Sequence, residues 1–171
     1  MLKLMLDTNT FDHIYDKGLT NKVRNAVDNE KLQLFATDVQ EQEIEKIPND
    51  ARKQGIKQTV EKIRVNFIET SGAVVALDQK GKKGYDGSRV NKARVVSAQD
   101  KQLLETLTKV NTEYPLKNSA DLLIFYTAIK ENMDCLVTRN TDDFKKPLEL
   151  FKRERDTKVQ VIHNTDFEKF L

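Results

Sequence analysis

Short apolar runs separated by helix-length amphipathic stretches constrain this chain more than any other feature. Residues 2–6, 32–36, 74–77, 135–138 and 159–162 read as strands. Strands that are apolar on both faces must be covered on both faces, and helices between successive strands supply that cover. The pattern is that of an α/β chain with a mostly parallel sheet between helical layers. Helical periodicity falls over residues 11–29, with a break near Gly18, and over 37–46, where Thr37 caps and Pro48 follows. It recurs over 50–68, where Ile56, Val60, Ile63 and Phe67 share a face, and over 99–111. Asn118 or Ser119 can cap a strongly apolar helix over 120–132, and a shorter helix follows over 142–152. Thr165-Asp-Phe-Glu168 has the form of a capping box opening a terminal helix.

With 171 residues and no linker or repeat, the chain reads as a single domain over 1–171. No apolar run approaches the roughly 20 residues that span a bilayer. The N-terminal Met-Leu-Lys-Leu-Met-Leu-Asp is too short a run for a secretory signal. Cys135 has no partner cysteine and sits in an apolar run, so a buried thiol and a reducing cytoplasm are expected. The net charge of +2 does not mark a nucleic-acid binder. The distribution is more informative. Lys80, Lys82, Lys83, Arg89, Lys92, Arg94 and Lys101 face only Asp86 and Asp100 in a Gly-rich stretch. This basic loop, centred on residues 78–98, can follow a phosphate backbone or be a solvated insertion.

Four acids stand at strand ends or helix starts: Asp7, Glu43, Asp121 and Asp143. In an open α/β sheet, groups at the carboxyl ends of strands meet at one edge. Carboxylates gathered there call for a hard cation, Mg²⁺ or Mn²⁺. Each acid also has a plain structural reading. Asp7 can cap the following helix, with Thr8 and Asn9 as turn residues that orient it. Glu43 can be a solvated helical residue, and Asp121 can answer only to the helix dipole. Asn140, Asp142 and Asp143 follow the strand over 135–138; one of them should face the sheet edge, while the others can cap the next helix. His13 and His163 lack the spacing of zinc ligands. No phosphate-cradling glycine motif is present, and the single cysteine has no neighbouring histidine for thiol catalysis.

The order of these elements is similar to that of the PIN-domain family. The resemblance rests on Asp7-Thr-Asn, Glu43 after the second strand, Ser119-Ala-Asp-Leu-Leu-Ile-Phe-Tyr-Thr-Ala, and Leu136-Val-Thr-Arg-Asn-Thr-Asp-Asp-Phe. It runs from Leu4 to Phe170. It implies a three-layer α/β/α sandwich and a metal-dependent ribonuclease resembling VapC-type toxins. Asp7, Glu43 and Asp121 would hold the metal with Asn140 and Asp143, while Asp142 is an alternative at the last position. The catalytic acids would be Asp7, Glu43, Asp121 and Asp143. Thr8, Asn9 and Thr138 would contact the substrate or orient the acids, alongside Lys80, Lys82 and Lys83 of the basic loop. The expected chemistry is hydrolysis of single-stranded RNA that leaves a 5′-phosphate and a 3′-hydroxyl. The resemblance also implies an antitoxin partner and allows a homodimer, for which the residues near Ile63 and Phe67 serve either core or interface. Two departures stand out: the segment 78–118 is long, and Asn140 is a weaker ligand than an aspartate. They leave room for a non-catalytic PIN-like module that binds RNA or protein. A HAD-type phosphotransferase also starts from an Asp after the first strand. That chemistry wants a second Asp where this chain has Asn9.

Overall fold

The computed structural model describes residues 1–70, 98–116 and 119–171. Strand β1 (Leu2–Leu6) leads into helices α1 (Thr8–Asp16) and α2 (Thr20–Asp28), then β2 (Leu32–Thr37), α3 (Asp38–Glu45), α4 (Asp50–Lys62) and β3 (Asn66–Ile68). Helices α5 (Ala98–Glu113) and α6 (Ser119–Lys130) precede β4 (Cys135–Thr138), α7 (Thr141–Glu154), β5 (Gln160–His163) and a closing 3₁₀ turn over Asp166–Phe170. The sheet order is β3-β2-β1-β4-β5 and every pairing is parallel, with Leu4 opposite both Leu34 and Cys135.

The alternation of side chains along a strand explains the layering. Leu4 and Leu6 of β1 pack with Leu34, Ala36, Cys135 and Val137 against α1, α2 and α4. Met5 and Leu136 point to the opposite face, where Leu104, Leu107, Leu123, Phe125, Phe144 and Phe151 cover them from α5, α6 and α7. Both faces are thus buried, which is why these strands are apolar at consecutive positions. In α7, Phe144, Pro147, Leu148 and Phe151 form one buried stripe. That stripe offsets an interior proline, which removes one helical hydrogen bond.

The chain direction creates a switch point. Going from β1 to β2 the helices lie on one face, and going from β4 to β5 they lie on the other. Right-handed crossovers require this reversal. The crevice it opens lies outside the carboxyl ends of β1 and β4, the place where ligands of such sheets bind.

Several expectations need correction. Thr8 and Asn9 are not a turn but the first residues of α1, which begins earlier than its apolar spacing suggested. The helix expected over 50–68 stops at Lys62. Arg64 takes a left-handed φ of 56°, and Asn66–Ile68 then pair with β2 as an edge strand. Ile63 is core, whereas Phe67 is 40% exposed on that edge. Thr165 makes no cap with its side chain; its hydroxyl bonds His163 Nδ1 at 2.7 Å, and a 3₁₀ turn follows in place of a helix. The break at Gly18 is present, with φ 62°. The expected strand over 74–77, Lys80, Lys82, Lys83 and the Asn118 cap lie outside the described residues.

Candidate active site at the switch point

Asp7 ends β1 and lies in the crevice, only 6% exposed. Its carboxylate does two things. Oδ1 accepts the Thr8 N–H at 2.7 Å and so caps α1. Oδ2 accepts the Thr138 hydroxyl at 2.7 Å and the Asn9 amide at 2.5 Å. The Thr138 bond crosses from β1 to β4 and spans the switch point. Asn9 reinforces the crossing, since its Oδ1 accepts the Arg139 N–H at 2.7 Å. Main-chain bonds run the same way: Asp7 N–H donates to the Val137 carbonyl at 2.9 Å. Burial pushes the Asp7 carboxyl above the usual carboxylate value, against the opposing pull of Thr138, the Thr8 N–H and Asn9. No lysine or arginine among the described residues pairs with Asp7, so its negative charge is met by neutral donors alone.

Glu43 enters from the β2 side. The Thr8 hydroxyl donates to Glu43 Oε2, which joins the second acid to the Asp7 segment. Helix α3 carries Glu43, and its first turn is fixed at both ends. Gln40 is fully buried; its side-chain oxygen accepts the Thr37 N–H at 2.5 Å and the Thr37 hydroxyl at 2.6 Å. Its amide donates to the carbonyl of Leu6, the residue before Asp7. On the other side, Asp38 Oδ1 accepts the Thr70 N–H at 3.1 Å and its hydroxyl at 2.5 Å.

Asp121 lies in the first turn of α6, which runs back along the sheet into β4, so it stands at the same edge. Asn140 stands at the N-cap position of α7 without a side-chain cap bond, and its N–H donates to the Thr138 hydroxyl at 3.0 Å. Asp142 is exposed and Asp143 half-buried in the first turn of α7. The structure therefore joins Asp7, Thr8, Asn9, Glu43 and Thr138 in one hydrogen-bonded group and sets Asp121, Asn140 and Asp143 on the same edge. It does not bring the acids into one coordination sphere. Among the described residues, no three His, Cys, Asp or Glu side chains come close enough to hold a metal ion. The side-chain oxygens of Asp7, Glu43, Thr8 and Thr138 in this group are of the type that suits a hard divalent cation. His13 and His163 take no part: His13 Nε2 lies 2.9 Å from Glu168, and His163 bonds Thr165.

Two residues at this edge escape a reading by residue type. Gln40 occupies the N3 position of a Thr-x-x-Gln capping box, a pattern visible in the sequence. Arg139 sits between Thr138 and Asn140, is exposed, and lends positive charge to Asp16 in α1. The stronger hold on Asp16 is its hydrogen bond from Arg52, which depresses its pKa first. Among the described residues, no helix is long and apolar enough to cross a membrane.

Neither a family sequence model nor a curated protein sequence matches this chain. Among solved structures it is similar to a chain of VapBC2 from Rickettsia felis, determined bound to a DNA fragment from the promoter. The TM-score is 0.54 at 18% identity, over 94% of this chain and 98% of that one.

Proposed function

We propose that this chain, whose all-parallel five-stranded sheet and structural likeness make its fold PIN-like, is a metal-dependent endoribonuclease acting on single-stranded RNA. The observation that carries the reading is the hydrogen-bonded group across the switch point, in which Thr8 and Thr138 bind Asp7 and Glu43 into one oxygen-rich edge. Asp7 and Glu43 would hold Mg²⁺ or Mn²⁺, joined by Asp121, Asn140 and Asp143 from the helix starts beside them. The half-buried Asp143 suits this role better than the exposed Asp142. Bound there, such an ion screens a phosphodiester's charge and makes its bound water acidic enough to serve as nucleophile.

The protein's own groups orient and bind. Thr138 and Asn9 fix Oδ2 of Asp7, and the Thr8 amide fixes Oδ1. Glu43, anchored through Thr8, stands ready to accept a proton from an attacking water. Arg139 supplies a planar cation suited to a backbone phosphate. Lys80, Lys82 and Lys83 would add phosphate contacts of their own. Pairing with an antitoxin protein, and a role as the toxin of such a pair, follow from the same reading.

The absence of a three-ligand group among the described residues favours a second reading: a PIN-like module that binds RNA or protein without cutting. One assay separates them. Purified protein is offered a mixed single-stranded RNA pool with Mn²⁺, Mg²⁺ or EDTA, wild type beside Asp121→Asn. Metal-dependent cutting is expected, and it should fall by on the order of 100-fold in the variant, the upper range reached when even the outer partners of a metal set are lost. RNA retention without cutting in any metal would decide for the binding module.

A further inference from the structure

The two acids that Thr8 links at the edge reach it from separate elements, so something must hold α3 against the end of β1. Gln40 has the geometry for this. It is fully buried and spends both ends of its amide on main-chain and hydroxyl groups of two elements. Its oxygen accepts from Thr37, at the start of α3 (2.5 and 2.6 Å). Its nitrogen donates to the Leu6 carbonyl, one residue before Asp7. Gln40 and Glu43 are three residues apart on one helix and so are neighbours along one side of it. A shift of α3 that carried Glu43 away would have to break the Leu6 bond and leave a buried carbonyl and a buried amide unpaired. Capping alone needs only the Thr37 half of this arrangement.

We propose that Gln40 is a positioning residue: its buried amide sets where Glu43 stands relative to Asp7. The proposal rests on the carboxylate reading of the site given above, and its test is chosen to fail separately from that reading. Gln40→Met keeps the length of the side chain and removes all three of its hydrogen bonds. Val60→Ala is the control, because it opens the core beneath α4 and touches neither acid. Both variants are checked for native circular dichroism. Amide exchange by NMR is then followed at Thr8, whose N–H is held by Asp7 and whose hydroxyl is held by Glu43. Mn²⁺ affinity is measured in parallel on RNA-free protein.

After correction for global stability, Thr8 exchange should be at least about 10-fold faster in Gln40→Met than in Val60→Ala, and Mn²⁺ affinity should be at least about 10-fold weaker, the scale of an outer-partner loss. Equal Thr8 exchange in the two variants overturns the proposal. So does faster exchange with Mn²⁺ affinity unchanged, since Gln40 would then only cap its helix. If wild type itself binds no Mn²⁺, the metal reading falls, and the exchange comparison alone decides the role of Gln40.

Discussion

At Asp7 a single carboxylate caps α1 with one oxygen and faces the crevice with the other, while burial raises its pKa. The sign of the pH effect follows. A raised carboxyl favours the folded state fully below its ordinary value near 3.8, and that contribution is lost as pH rises through the raised value. Metal-free wild type should therefore lose Tm relative to Asp7→Asn between pH 3.5 and 7, measured by thermal melts in EDTA. A gap that stays constant across that range would contradict burial of the charge. Saturating Mn²⁺ should restore wild type at neutral pH and leave Asp7→Asn unchanged. Asp7, with Thr8 and Asn9 beside it, is legible in the sequence because it follows an apolar strand; Glu43 and Thr138 enter only through the family resemblance, since a glutamate inside a helix and a threonine at a strand end are ordinary residues by themselves. Gln40 was hidden for a physical reason. A Thr-x-x-Gln pattern announces a helix cap, but only the packing of α3 beside β1 shows that the amide also reaches Leu6. Arg139 was hidden because one exposed cation says nothing until its neighbours are known.

Four of the five described strands follow from apolar runs alone; β1, β2 and β4 are covered on both faces, while β5 is an edge strand whose Val161 and Ile162 are half-buried. The fifth, β3, is a three-residue edge strand with two exposed positions, so it lacks the burial signature that betrays a strand. Val60, Ile63 and Phe67 keep helical spacing past the true end of α4, and Arg64 turns the chain without the glycine or asparagine that usually marks such a turn. Thr165 failed as a cap because the His163 ring took its hydroxyl. At the end of the sheet opposite the site, Asp134 ties three strands together. Its carboxylate accepts the Lys3 N–H of β1 at 2.7 Å and meets the Lys158 amine, just ahead of β5, at 2.8 Å. Its own carbonyl accepts the Gln160 N–H at 3.0 Å. The Lys158 bond and then the Lys3 N–H hold its pKa below the usual range. Asp134→Ala should cost about 1 kcal/mol in urea unfolding at pH 7, kept small by solvent screening at a side chain a quarter exposed. The penalty should shrink as pH falls through the lowered carboxyl value, where wild type loses the same contribution. Cleavage by folded protein should not change.

Across the whole molecule a net charge of +2 hides a local concentration of cations, so nucleic-acid affinity should come from where charge sits. Arg139→Ala should lower the log–log salt slope of single-stranded RNA binding by about 1, and Lys80, Lys82 and Lys83 replaced together should lower it by about 2. Fluorescence anisotropy over 50–200 mM salt reads both, and slopes equal to wild type would leave these residues as solvated surface. The sheet order carries one more consequence. Of the described strands, the earliest in the sequence is the middle of the sheet, and one of its neighbours is β4, built from Cys135 onward. A nascent chain emerging from the ribosome therefore carries Asp7 long before it carries Thr138, with the β4 side of its central strand unpaired. Any product of interrupted translation that stops short of Thr138 has its first acid but no crevice to place it in.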